Sequence, residues 1–415
     1  MIKRKSYIIA AIISLSCFLS SKAQVWSTSF NGIDSIWSGG NPVIKTIYND
    51  GDSVLYIGGP FIGVNTTTVN GIFKWNGTQW NKLDGGFTLA ATCESIQIYD
   101  NKLFAGGGFW EAGGQSIKYF AIWDGSNWYP PQDGQVGSPV IDMKIYDTLL
   151  FLVGNFTECG STTYNHVVAT DGNVWINVGS INSPWATALE IYNGELIMGE
   201  YNGMRKYLGG TTWENFPGEP LGWVNELCVD TFNNFLYAGG DFYYLEDWTP
   251  SYYAAMWDGF KWNSLGIDLP TAIPEKAMAV YRGDLFIGSG MDTLNNGLEV
   301  NGIVRWNGSK WDSVGCGTNN PVGVKALEIF RDTMYVGGYF SEAGGLPAYG
   351  LAKVFVPDTG CGYLKPKVLT IADTFYMSQG EAQVQFYNNN AYVQNWDWNF
   401  GDGNTANIKD PLHSY

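Results

Sequence analysis

Histidine is almost absent from this 415-residue chain, which has two, His166 and His413. No HExxH pattern and no nucleophile elbow accompanies either, so imidazole-based metal sites and Ser-His-Asp devices have little to be built from. Cysteine is nearly as scarce. Six occur, one of them inside the first 23 residues, and no CxxC is among them, which argues against structural zinc. Cys159 falls where neighbouring repeats carry alanine, which reads as a small buried residue. Gly-Cys-Gly at 315–317 and again at 360–362 is the one pair that invites a disulfide. Only four arginines follow residue 23: Arg205, Arg282, Arg305 and Arg331. Basic charge is short altogether, 23 Lys and Arg against 39 Asp and Glu, for a net charge of −16. A surface of that sign repels phosphate backbones and anionic headgroups, so neither nucleic acid nor a membrane surface is an expected partner. Solubility explains the acidity most simply. The composition implies no metal and no cofactor.

Long apolar runs are also missing. The longest, residues 7–19, is too short to span a bilayer, and no second one follows. Lys3, Arg4 and Lys5 precede it and Ser-Lys-Ala at 21–23 follows, the layout of a cleaved export signal covering residues 1–23. Ser16 before Cys17 disfavours a lipid anchor. The expected location is therefore secreted or on the outer cell surface. Loss of Lys3, Arg4, Lys5 and Lys22 with the signal makes the net charge −20.

What the chain does have is a repeated phrase. Leu-Tyr-Ala-Gly-Gly-Asp-Phe at 236–242 recurs at 55–61, 103–109, 150–156, 285–290 and 334–340, with an eroded copy at 196–201. Trp-Asp-Gly-Phe-Lys-Trp at 257–262 recurs at 75–80, 123–128 and 306–311, and more weakly at 170–175 and 207–213. The spacing of 40 to 49 residues marks a repeat architecture. Each copy opens with an alternating strand, a tight turn such as Asp100-Asn101 and a second strand ending in the glycine pair. A polar loop then leads to a third strand, an Asn/Asp-Gly turn and a fourth strand carrying tryptophan. The Asx-Gly turn is expected to place both of its residues at positive φ. The glycines would let sheets approach, and the tryptophans would fill the widening outer gap. Core positions recur at Met143/Ile145, Leu189/Ile191, Leu227/Val229, Met278/Val280 and Leu327/Ile329, with Lys45 as the departure in the first copy.

This arrangement resembles the kelch repeat, with Trp-Asp-Gly-x-x-Trp in place of that family's longer aromatic spacing. The resemblance covers 24–357 and implies an all-β, seven-bladed β-propeller. The seventh copy lacks its outer strand, and Ile36-Trp37, which has no hairpin of its own, is expected to supply it from the N-terminal side. After a linker at 358–366, residues 367–415 contain Trp-Asn-Phe-Gly-Asp-Gly and Pro-Leu-His-Ser-Tyr, carried by Trp398, Phe400, Asp402, Pro411, His413 and Tyr415. These resemble the hallmark of the PKD domain, an immunoglobulin-like sandwich of roughly 100 residues, of which about half are present. The PKD-like domain is thus expected to be incomplete.

Functionally, the pattern points to a monomeric surface protein that binds a glycan or a protein, of the kind exported by type IX secretion. An extracellular glycoside hydrolase or polysaccharide lyase using loop carboxylates and a purely structural surface protein are the alternatives. The loops after the glycine pairs carry Trp110, Glu111, Glu158, Tyr243, Tyr244, Asp247, Trp248, Asp292 and Glu342. Glu111, Glu158 and Glu342 are equivalent by repeat, which favours loop-fixing over catalysis. Trp110, Glu111, Tyr243, Tyr244, Trp248 and Glu342 are the expected ligand contacts, with no catalytic residue among them.

Overall fold

The computed structural model describes residues 24–30, 33, 35–38, 42–51, 53–88, 91–181, 183–274, 276–320 and 323–356. It also describes 6–8, 374–376, 383–385, 398–399, 404–406, 408 and 412–414. The chain divides into two compact units, one of residues 24–230 and 234–356, the other of 1–23, 231–233 and 357–415. In the second unit Ser6–Ile8 pairs with Thr374–Tyr376, Gln383–Gln385 with Leu412–Ser414, and Trp398–Asn399 with Thr405–Ala406, all antiparallel. The remainder of the export-signal segment, Cys361 and most of the PKD-like motif lie outside the described residues.

The larger unit is all β, and no helix occurs among the described residues. Alternating apolar residues bounded by turn formers give seven four-stranded antiparallel sheets. In chain order six of them span 46–82, 92–129, 140–176, 186–215, 220–264 and 278–313. Sheet 2 is typical, with strands Thr92–Tyr99, Lys102–Gly108, Phe120–Trp123 and Trp128–Tyr129. The hairpin between its first two strands turns on Asp100 and Asn101, both at positive φ (48° and 58°), which matches the right-handed twist of the strands.

The Asx-Gly turns differ from the sequence expectation. Only the glycine has positive φ, as at Gly125 (101°) and Gly308 (90°). The Asx residue instead uses its side chain: Asp124 Oδ1 accepts from the amides of Ser126 (2.8 Å) and Asn127 (2.7 Å). Asn76, Asp171, Asp258 and Asn307 do the same. The carboxylate or amide thus closes the turn as an Asx acceptor.

Successive sheets meet through the first glycine of each pair. A Cβ on Gly106 would lie 2.8 Å from Val140 of sheet 3, and one on Gly337 would lie 2.5 Å from Ile44, beside sheet 1. Between successive sheets sit separate apolar clusters, seven in all. Sheet 7 (324–355 with 25–27) also shares a cluster with sheet 1, in which Ala326, Phe330 and Tyr335 pack with Ile47, Leu55 and Ile57. Tryptophans of the outer strands donate back to the chain leaving the preceding sheet: Trp175 to Gly134 O (3.0 Å), Trp262 to Pro217 O (3.1 Å) and Trp311 to Leu265 O (3.0 Å).

Sheet 7 contains Val324–Phe330, Thr333–Gly338 and Leu351–Phe355, and its outer strand does come from the N-terminal side. The segment, however, is Val25–Ser27, paired with Lys353–Phe355, and not Ile36–Trp37. Trp26 repeats the tryptophan signature, donating to Val314 O at 3.1 Å. Ile36–Trp37 pairs instead with Gly63–Val64, the loop after the first glycine pair. It is the connection from sheet 7 to sheet 1, and the tryptophan in it imitated the signature. The register also moves the irregular core position of sheet 1. Ile47 faces Ile57 as Ile96 faces Ala105, so the departure is Asn49, not Lys45.

Candidate functional site

Antiparallel order places two kinds of segment at one end of each sheet: the loop after the glycine pair and the connection between sheets. There they are stitched together by main-chain hydrogen bonds. Thr88 N donates to Glu111 O, Gly137 N to Glu158 O (2.9 Å), Glu246 N to Glu219 O (3.0 Å), Asn295 N to Asp268 O (2.7 Å) and Asn319 N to Glu342 O (3.1 Å). The repeat equivalence of Glu111, Glu158 and Glu342 is therefore a main-chain role. Their carboxylates are exposed. Side chains of the connections complete the stitching, Thr88 Oγ1 accepting from Glu111 N (2.8 Å) and Asn319 Oδ1 from Glu342 N (3.0 Å).

The expected contact residues stand in three loops, with Glu342 alone in that of sheet 7. Trp110 stands in the loop of sheet 2, its ring edge-on to Tyr119 at 6.1 Å and the Lys118 ammonium 5.0 Å from its centroid. Tyr244 and Trp248 meet in the loop of sheet 5 at 5.8 Å. Tyr243 turns toward Tyr253, with hydroxyls 2.8 Å apart, and burial together with that contact pushes the Tyr253 phenol up. Trp248 is 71% exposed at φ 64°, on a turn whose Asp247 carboxylate accepts from Thr249 N at 2.9 Å. That hydrogen bond holds the Asp247 carboxyl below the usual range. Asp292 is exposed, its carbonyl accepting from Val300 and Asn301. The structure gives no contact that joins Trp110, Glu111 or Glu342 to the sheet 5 aromatics.

His166 fills a repeat position. Its amide donates to Phe156 O and its carbonyl accepts from Gly154 N, as Tyr119, Tyr253 and Gly350 do in their sheets. It has positive φ (67°), as Tyr119 and Tyr253 have (65° each). Its ring nitrogen Nδ1 lies 3.2 Å from Gly154 O. Cys159 is buried at the place of Ala112 and Ala343, and Cys93, Cys228 and Cys316 are likewise free thiols. Arg305 bridges Asp312 (3.3 Å) and Asp284 (3.8 Å) within sheet 6. No cluster of three or more metal-ligating side chains occurs among the described residues.

Two further features escaped the sequence reading. The first comes from the eroded copy. In sheet 4 the second strand ends at Glu200 and the third begins at Gly203, so there is no long loop. Where that loop is missing, Trp185, Tyr201 and Trp223 come together. Trp185 stacks on Trp223 at 4.9 Å and 22°, and Tyr201 lies 5.4 Å from Trp223 and 6.0 Å from Trp185. Glu200, in the place of a glycine, is 2% exposed, and its Oε1 accepts from Arg205 Nε at 3.0 Å. Nearby Glu219 accepts from Met204 N. Burial pushes its carboxyl up to about 7, the Met204 bond pulling down and Glu200 pushing up. The signal was in the sequence, as the glutamate in the glycine column and the shortened 40-residue step.

The second feature is a cavity of about 340 Å³ lined by the first strands of all seven sheets. Polar residues between the apolar core positions face it: Tyr48, Gln97, Lys144, Glu190, Cys228 and Glu328. Lys144 pairs with Glu190 at 2.6 Å. Lys276, in the connection leading into sheet 6, crosses to Asp142 of sheet 3, while its amide donates to Glu226 Oε2 at 2.7 Å. Burial pushes Lys276 down, but the carboxylates of Asp142 and Glu226 outweigh it and hold the ammonium above its ordinary range. Register shifts between Cys93 and Ser95, Val140 and Asp142, and Val224 and Glu226 re-aim these strands at the cavity, as bulges do.

Burial pushes the Glu226 carboxyl from 4.5 up to about 8. The native state then keeps a proton that the unfolded chain releases between those values, so this group makes stability fall as pH rises through that window. Glu226→Gln is expected to flatten that slope while still accepting from Lys276 N. Melting temperature followed from pH 4.5 to 8 checks it, and an unchanged slope counts against the assignment.

No family model matches the sequence, and no curated protein matches it. Solved structures do share its fold. An extracellular domain assigned to the hybrid two-component system BT4673 of B. thetaiotaomicron superimposes with a TM-score of 0.52 at 15% identity, over 82% of this chain and 41% of that one. The extracellular domain of the BT3049 system from the same organism gives 0.51 at 10% identity, over 90% and 53%. The chain thus spans about half the length of these structures.

Proposed function

We propose that this chain is a secreted or cell-surface binding protein, a kelch-like seven-bladed β-propeller with a PKD-like domain, whose long-loop face takes a glycan or a protein. The propeller reading is supported by seven four-stranded sheets with an apolar cluster at each junction, the last junction joining sheet 7 to sheet 1. An extracellular setting draws support from the layout of residues 1–23 and from the two structures above, both extracellular domains. The domain limits remain 24–357 and 367–415, and export by type IX secretion belongs to the same reading.

One observation carries the binding role, the unequal ends of the sheets. The Asx-Gly end is built of short repeated turns. At the long-loop end Trp110, Trp185, Tyr201, Tyr243, Tyr244 and Trp248 stand 38–71% exposed. Exposed aromatics held on a rigid scaffold favour recognition. Carbohydrate binding is the preferred version, since ring faces stack on sugars.

An array of polysaccharides and purified surface proteins tests the face. Tyr244→Ala/Trp248→Ala combined with Trp185→Ala is expected to weaken binding at least about tenfold, the worth of one stacked ring. Phe260→Ala, 83% exposed on an Asx-Gly turn, is expected to leave binding unchanged. Loss through Phe260→Ala alone would place the site at the other end. Polysaccharide cleavage abolished by Glu111→Gln or Glu342→Gln would replace binding with catalysis.

A further inference from the structure

We propose that the notch at sheets 4 and 5, walled by Trp185, Tyr201 and Trp223, is a subsite for a neutral pyranose ring of an oligosaccharide. The inference rests on the binding reading above and names, for one group of its rings, the class of ligand taken.

Three observations converge. Loss of the loop of sheet 4 leaves Trp185 38% and Tyr201 43% exposed, on rings already fixed by stacking against Trp223. Such rings lose little freedom on binding, and an indole face matches the C–H face of a pyranose. Beside them, three buried polar atoms have no hydrogen-bond partner: Glu200 Oε2, Trp223 Nε1 and Asn225 Oδ1. They belong to adjoining stretches of sheets 4 and 5, with the Asn225 amide nitrogen donating to Ile273 O at 2.8 Å. Glu200 follows Gly199, and Trp223 and Asn225 flank Val224. A Cβ on Gly199 would lie 2.7 Å from Val224 O, and the Thr187 hydroxyl bonds to that same carbonyl. Buried polar atoms are normally satisfied, so unspent capacity of this kind needs an account. Acceptors and a donor left unspent in this way match hydroxyl groups, each of which both donates and accepts.

Charge then selects among sugars. Glu200, next in sequence to Tyr201, and Glu246 both act on the Glu219 carboxyl, so acidic groups gather in this part of sheets 4 and 5, with Arg205 already held by Glu200. A uronate or sialate carboxylate would meet like charge there. A neutral hexose would not.

The test uses the full chain and soluble gluco-, manno- and galacto-oligosaccharides, with polygalacturonate as the anionic probe, by titration calorimetry and tryptophan fluorescence. A neutral oligosaccharide is expected to bind and to shift the fluorescence. Trp185→Ala and Glu200→Gln are each expected to weaken it about tenfold, roughly one stacked ring or one charge-assisted hydrogen bond. Phe260→Ala, at the Asx-Gly end, is expected to leave that binding within about twofold, with melting curves reporting that each variant folds. Preference for polygalacturonate overturns the proposal, and so does neutral-sugar binding that survives Trp185→Ala and Glu200→Gln. If no sugar binds while a surface protein does, through Tyr244 and Trp248, the subsite falls and the binding role stands. If nothing binds the long-loop face, both fall.

Discussion

Trp26→Ala is expected to destabilise the larger unit by about 3–5 kcal/mol, the range for emptying a buried tryptophan site. In a unit of this size that lowers the melting temperature by roughly 5 °C. Trp26 is 8% exposed and lies in the cluster shared by sheets 6 and 7, against Val314, Ala343 and Val354. Its loss removes that contact, the hydrogen bond to Val314 O and the anchor of the strand that covers the edge of sheet 7. Trp37→Ala is expected to cost about 1 kcal/mol, since Trp37 is half-buried and gives up mainly its bond to Asn65 O at 2.8 Å. Chemical denaturation of the two variants side by side decides which N-terminal segment completes the seventh sheet. Equal losses, or a larger one for Trp37→Ala, would reverse the assignment.

Lys276→Met should be nearly as costly, about 3–5 kcal/mol, because it strands a buried carboxylate. Asp142 has a side chain 6% exposed and Lys276 one 24% exposed, so solvent screens the pair little. Asp142 also accepts from the amides of Met143 and Leu189, both at 2.8 Å, which ties sheets 3 and 4 to the same carboxylate. Lys276 is the cation bonded to Asp142, since Lys144 is already paired with Glu190, and removing it leaves Asp142 as the unpaired charge. The double variant Lys276→Met/Asp142→Asn is expected to recover most of the loss, since no unpaired charge then remains. Urea unfolding of the single and double variants measures the coupling. Additive losses would mean that the pair is no unit, and an unchanged single variant would remove its structural importance.

Much of the fold was legible because a repeat states its rule seven times. The glycine column, the Asx-Gly turns and the paired tryptophans each appear where the sheets need them. Cross-strand partners such as Trp123 and Trp128, or Trp306 and Trp311, stand opposite one another as their spacing implied. The reading failed where one residue type serves two purposes. Trp37 carries the tryptophan of an outer strand but lies in a connection, and only strand pairing distinguishes it from Trp26. Glu200 was read as erosion of a glycine, although it marks the sheet whose missing loop exposes Trp185 and Tyr201. Local pattern could not show that Trp185 and Trp223, 38 residues apart, would stack.

Composition, period and turn chemistry by themselves determined an all-β chain of recurring four-stranded units, because strand alternation and turn formation are decided by neighbouring residues. Tertiary structure alone decided which segment completes sheet 7, which loops meet, and that Lys276 reaches Asp142 across a cavity. Those contacts join residues up to 288 positions apart, as Trp26 and Val314 are, and depend on how seven sheets pack rather than on any local preference.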